Sequence, residues 1–178
     1  MSETRLAWHF VGETLRDGQP VPANGEWLEH EGELVMCAAG LHASTHVGDA
    51  LEYAPGNILC RVRLGGKIIE GADKMVGSRR KIIWRVDAAP VLRAFGRWCA
   101  LRVLHLWEAP DVVIRYLRTG NEDMRAAARD AAWAAARDAA SDAAWAAAWD
   151  ARSTQLVKMI REARAGKTEW VFEEQADE

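Results

Sequence analysis

Gly40-Leu41-His42-Ala43-Ser44 is the segment of this chain whose residue types best suit chemistry. A glycine and a histidine stand between a short apolar run, residues 34–37, and an expected helix start. Backbone N–H groups and a titratable ring would then meet at a sheet edge. His42 and His46 have i,i+4 spacing, but no third ligand follows at a usable distance, so no metal site is expected. Ser44 lacks the Gly-x-Ser-x-Gly turn that presents a nucleophilic serine. Two roles remain for His42. It hydrogen-bonds a backbone carbonyl and pins the loop, or it serves a site at that sheet edge.

A second group is basic. Gly77-Ser78-Arg79-Arg80-Lys81 reads as a turn, either a solvated loop or a place where Arg79 and Arg80 hold a phosphate. No Walker A sequence and no Gly-x-Gly-x-x-Gly occurs. Glu29, Glu31, Glu33 and Glu52 are candidate acids that nothing in the sequence pairs. No catalytic set is complete, and no cofactor is expected. Arg79 and Arg80 are thus the candidate phosphate-binding residues of this run.

These residues need elements to hold them. Residues 6–12 read as a strand ending at Gly12. Asp17-Gly18 and Asn24-Gly25 are turn dipeptides that suggest a hairpin. Residues 34–37 form a short apolar strand, and Ser44 or Thr45 caps a helix over 46–54 that Pro55-Gly56 stops. Residues 57–64 form a strand closed by Gly65-Gly66, with 67–70 as its hairpin partner. Residues 81–86 suit a strand, or alternatively a helix. The expectation for residues 1–88 is a small mixed sheet with one or two short helices.

From residue 89 the composition shifts to helix. Pro90 suits a first helical turn, with apolar residues at helical spacing up to Glu108. Pro110 opens a second helix that Gly120 stops, and Asn121 or Asp123 caps a third. Residues 130–141 read DAAWAAARDAAS and residues 142–153 read DAAWAAAWDARS, an internal repeat identical at ten of twelve positions. Alanine has the highest helix propensity, so the repeat is expected to be helical. Its large residues recur every four, which advances about 40° per step, so the Trp stripe winds around the helix. Either several neighbours contact it or the helix breaks near Ser141. The Trp residues fill gaps between helices or form an exposed partner surface. The helix continues to Gly166, residues 170–172 add a last strand or a docking tail, and the acidic 173–178 is expected to be disordered. The fold class is thus α+β, with residues 1–88 an α/β module and 89–178 an Ala/Trp-rich helical module.

The chain has 178 residues, nine Trp and a net charge of −3. That charge is segregated. Residues 1–60 hold 2 Lys/Arg against 9 Asp/Glu, residues 61–118 hold 13 against 5, and residues 119–178 hold 8 against 12. The basic middle either pairs with its acidic neighbours or forms a face for a phosphate, a nucleic acid or an acidic protein. No stretch reads as a transmembrane helix or a secretory signal, and Cys37, Cys60 and Cys99 suit reduced thiols. A cytoplasmic protein without membrane contact is expected, its oligomeric state open.

Trp8-His9-Phe10, Met36-Cys37, Gly40 through Ser44, Asp49 through Ala54 and Leu59-Cys60-Arg61-Val62 resemble a family of phage and prophage proteins of unknown function. These share a Gly-(Leu/Phe)-His-(Ala/Cys)-Ser core. The stretch from Arg97 through the repeats to Ile160 is similar to helical domains labelled immunity proteins in bacteria and phages. A more distant likeness is to ADP-ribosyltransferases. Their strand with a His corresponds to His9, their Gly-x-Tyr-Phe strand to Gly40 through Ser44, and their helix ending Ala-x-x-Tyr to Ala50 through Tyr53. His42 stands near the place of the strand tyrosine, and no catalytic Glu follows the Val-rich strand. The first resemblance implies a non-catalytic phage accessory protein that binds and inhibits a host protein complex of anti-phage defence. The last implies a NAD-using enzyme with His9, His42, Ser44 and Tyr53 at the nicotinamide. A third reading is a binder of a nucleotide signal near Arg79, Arg80 and Lys81.

Overall fold

A computed structural model describes residues 4–136 and 149–173. The chain divides into two compact units, Met1–Ala89 and Pro90–Glu178. The first is built on five strands: β1 (Arg5–Val11), β2 (Trp27–Glu29), β3 (Leu41–Ala43), β4 (Ile58–Glu70) and β5 (Met75–Asp87), with helix α1 (Val47–Glu52) between β3 and β4. The α+β class expected from the sequence is the class observed.

β4 and β5 form a long antiparallel hairpin, and β1 pairs the free side of β4. On the far side of β5, β2 pairs Arg79 to Lys81 and β3 pairs Met75 to Gly77, so the two short strands lie end to end along one edge. Trp8 and Ser44 then exchange backbone hydrogen bonds of 2.8 Å in both directions. This bridge brings the end of β3 back to β1 and curls the sheet on itself. Irregularities between Arg61 and Val62 and between Gly65 and Ile68 supply curvature, as bulges do. Ala7, Val11, Ala43, Cys60, Val62, Leu64, Met75 and Ile82 fill the concave side.

Several expectations change here. Every described pairing is antiparallel, so the sheet is not mixed. Gly65-Gly66 does not end a strand. The chain runs through it, with Lys67 N–H donating to Ser78 Oγ at 3.0 Å to bridge the irregularity. The hairpin partner of residues 57–64 is therefore β5 and not residues 67–70. Residues 77–81 are the middle of β5, not a turn, because cross-strand bonds to β4 and β2 use their backbone. Residues 34–37 are not a strand but a turn that Val35 and Ala39 close, with Cys37 at φ 65°. Neither Ser44 nor Thr45 caps α1. His46 is the N-cap, with no side-chain cap bond, and its ring bonds the Asp49 carboxylate in the first turn instead.

The second unit holds α2 (Ala89–Leu101), α3 (Asp111–Thr119), α4 (Arg125–Ala136) and α5 (Trp149–Arg164). Pro110 precedes α3 and Gly120, in the left-handed region, ends it. Asn121 Oδ1 accepts from the Asp123 N–H at 3.0 Å and caps the turn before α4. Val113, Leu117 and Ala128 form the seam between α3 and α4. Residues 170–172 dock as a tail and add no strand. The buried Arg97 guanidinium donates to the carbonyls of Leu117 (3.0 Å) and Trp170 (2.8 Å), and Phe172 N–H donates to the Arg118 carbonyl. The possible break near Ser141, most of the Trp stripe and the acidic end 174–178 lie outside the described residues. Among the described residues no helix is long and apolar enough to cross a membrane.

Candidate functional site

His9 lies on β1, paired with Cys60, and Arg80 lies on β5, paired with Leu64. Residues directly opposed across antiparallel strands share a face. Both side chains therefore sit on the concave side, beside the apolar residues that fill it. His42 comes from β3, Ser44 from the bridge to β1, and Tyr53 from the C-cap of α1. These five residues, with Lys74 just before β5, line one cavity of about 1030 Å³. A volume near 1000 Å³ is the upper end of what small-molecule sites use.

Arg80 is only 7 % exposed. Its Nη1 donates to the His42 backbone carbonyl. Among the described residues no carboxylate lies against it. Burial pulls its pKa down to about 10, so it remains a cation near neutrality. Its field reaches the two imidazoles. Desolvation first, then Arg80 and His42, hold His9 well below its usual pKa of 6.5. Desolvation likewise lowers His42, opposed in part by a hydrogen bond to the Gly40 backbone. Both rings are therefore neutral at pH 7. His42 Nε2 accepts from the Cys37 N–H at 3.0 Å, so the ring pins its loop through this amide as well as through the Gly40 backbone. The neutral tautomer then carries its proton on Nδ1.

Tyr53 is half exposed at the cavity mouth. Its hydroxyl donates to Asp73 Oδ2 at 2.5 Å, and the Lys74 ammonium sits 3.8 Å from its ring centroid. The Tyr53 hydrogen bond holds the Asp73 carboxyl below its ordinary range. Lys74 and Asp73 escaped the sequence reading. They lie twenty or more positions from Tyr53 in the chain, and no local pattern links them.

Arg79 does not line this cavity. Strand alternation turns it to the opposite face, where its guanidinium lies 4.6 Å from the Trp27 ring centroid. His42 and His46 do not share a helix face, since one is on β3 and the other caps α1. Among the described residues no group of three His, Cys, Asp or Glu is close enough to hold a metal. The buried Cys60 thiol is pushed up to about 11 by desolvation, which makes it a poor nucleophile.

The sheet, α1 and the first part of α2 coincide with a family match, the Domain of unknown function (DUF7666), over residues 6–94. The chain belongs to this family. No curated protein and no solved structure matches the chain. All six candidate residues fall within the DUF7666 segment, as do Lys74 and Asp73.

Proposed function

We propose that the N-terminal unit is a non-catalytic receptor for a small anionic ligand of the nucleotide class, and that the protein works by holding that ligand. The observation that carries this reading is Arg80. A buried cation without a counter-charge costs several kcal/mol of desolvation, which a fold has no structural reason to retain. At the wall of a cavity with two neutral imidazole donors or acceptors, a serine hydroxyl and a tyrosine ring, that cost becomes binding energy for a phosphate or carboxylate. The aromatic ring and the apolar wall around Ala43 and Ala50 suit a base or a nicotinamide.

Calorimetric titration and thermal shift with NAD⁺, ATP, a cyclic dinucleotide and inorganic phosphate test it. A ligand at 100 times its dissociation constant stabilises by about 2.7 kcal/mol. Arg80→Met should abolish the ligand-induced shift while circular dichroism shows the ligand-free protein still folded, since the isostere removes a buried charge but also the donor to the His42 carbonyl. A flat response to the whole panel, or an undiminished shift in Arg80→Met, sinks the reading. NAD⁺ consumption during the titration would replace it with the ADP-ribosyltransferase-like reading.

The resemblance to phage proteins supports a place for this activity. Capture of a nucleotide signal would disarm a host anti-phage defence without a protein contact. Direct inhibition of a host protein complex rests on that resemblance and on the charge segregation. One stoichiometric host complex on a tagged bait, together with a flat ligand panel, would favour it over the pocket.

A further inference from the structure

The face of the sheet turned away from His9 and Arg80 carries a different chemistry. Strand register aligns Trp8, Arg61 and Trp84 in one row across β1, β4 and β5. The next row is Leu6, Arg63, Lys81 and Trp27, across four strands. The third is Gly65, Arg79 and Glu29. Successive rows are two residues apart on β1 and β4, about 6.7 Å, and three apart on β5 between Trp84 and Lys81, where the bulge lies. Four cations and three indoles thus share these three rows with one carboxylate, Glu29.

The side chains are interleaved, not segregated. Arg61 lies 4.5 Å from the Trp8 ring centroid, and Trp8 meets Trp84 edge-on at 5.8 Å. Arg79 and Lys81 flank Trp27 at 4.6 and 4.8 Å. Gly65 makes the last arrangement possible. A Cβ there would come within 2.9 Å of Arg79 Nε and 3.3 Å of the Trp27 ring. All seven aromatic and basic side chains are partly exposed. Like charges at neighbouring cross-strand positions are destabilising, and Arg63 stands directly opposite Lys81. The chain as a whole is acidic, so this concentration of cations is not a by-product of composition.

We infer that this face binds single-stranded nucleic acid, with phosphates on Arg61, Arg63, Lys81 and Arg79 and unpaired bases on the indoles. Cations tracking a backbone and aromatic rings taking bases are the two ingredients of such sites. The rings also hold the guanidinium planes in place, so less rotamer entropy is lost when a phosphate is gripped. A duplex hides the base faces that the indoles would stack on, and this face offers no helix or ribbon to enter a major groove. The inference stands apart from the cavity, since strand alternation places Arg80 on the other side.

Fluorescence anisotropy with labelled oligomers of about 12 nucleotides tests it, a length within the site sizes of sheet-based binders. Oligo-dT and oligo-U should bind, and a duplex of the same length should bind about tenfold more weakly. The ratio of the two single strands reports whether the 2′-hydroxyl is read. The log–log salt dependence should have a slope of about −2 to −3, the value for three or four phosphate contacts. Arg63→Glu with Lys81→Glu should weaken binding by at least about tenfold. Trp27→Leu should cost about tenfold through lost stacking, with circular dichroism checking the fold. Arg80→Met should leave the affinity unchanged, which separates failure of this inference from failure of the pocket reading. Absence of binding at low salt, equal affinity for duplex, indifference to the charge reversal, or binding of an acidic protein alone would overturn it.

Discussion

Burial and the Arg80 charge, in that order, hold His9 neutral in the folded protein. An unfolded chain takes up that proton near pH 6.5, while the folded one resists until well below. The unfolded state therefore binds more protons in this window, and stability rises with pH across it. The contribution is complete above pH 6.5 and is lost progressively as the pH falls below it. Thermal melts from pH 8 to pH 5 should show the melting temperature dropping below pH 6.5, and His9→Gln should flatten that limb. A wild-type profile that is level through this range would contradict the burial of a neutral ring. The neutrality of His9 was not legible in the sequence, because residues 6–12 say that a strand forms there but not that Arg80, 71 positions later, faces it.

At the scale of elements, the β3 edge depends on the backbone at Gly40. Its φ is +112°, and a Cβ there would lie 2.4 Å from Val76 Cγ2 and 2.8 Å from Leu34 Cδ2. Gly40→Ala combines backbone strain with overpacking and should cost about 3 kcal/mol. Chemical denaturation measures this, and a loss below about 0.5 kcal/mol, the level of an ordinary surface change, would mean that the loop relaxes freely. The helices of the second unit were easier to foresee. Pro110 and Gly120 act through their own dihedral preferences, so α3 begins and ends where they stand. The turn proposed at residues 77–81 failed for the opposite reason. A glycine and a run of basic residues carry a weak local preference for loops, and pairing with two neighbouring strands overrides it.

At the scale of the whole molecule, the chain divides into two compact units. Leu156, Met159 and Ile160 are fully buried in the second, as Phe10, Leu59 and Val62 are in the first. Scanning calorimetry should resolve two transitions. Gly40→Ala should move only one of them. Arg97→Met, which strands the Leu117 and Trp170 carbonyls without a donor, should move only the other, by about 2–4 kcal/mol. A nucleotide that fills the cavity should raise the transition that Gly40→Ala lowers. One transition responding to every change would show that the units unfold together.

Composition and periodicity by themselves determined that a strand-rich stretch precedes a helical one, and that Gly40, Pro110 and Gly120 punctuate the chain. Propensity and dihedral limits act within a few residues, so they can be read along the chain. Which residues meet was decided by the tertiary structure alone. Arg79 and Arg80 are neighbours in sequence, yet one faces Trp27 and the other the cavity, because β5 alternates its side chains. Tyr53 finds Asp73 and Lys74, and Ser44 finds Trp8, because cross-strand pairing joins positions tens of residues apart. Register, curvature and burial arise from those long-range contacts, and they turn a scattered set of histidines and arginines into two faces with different chemistry.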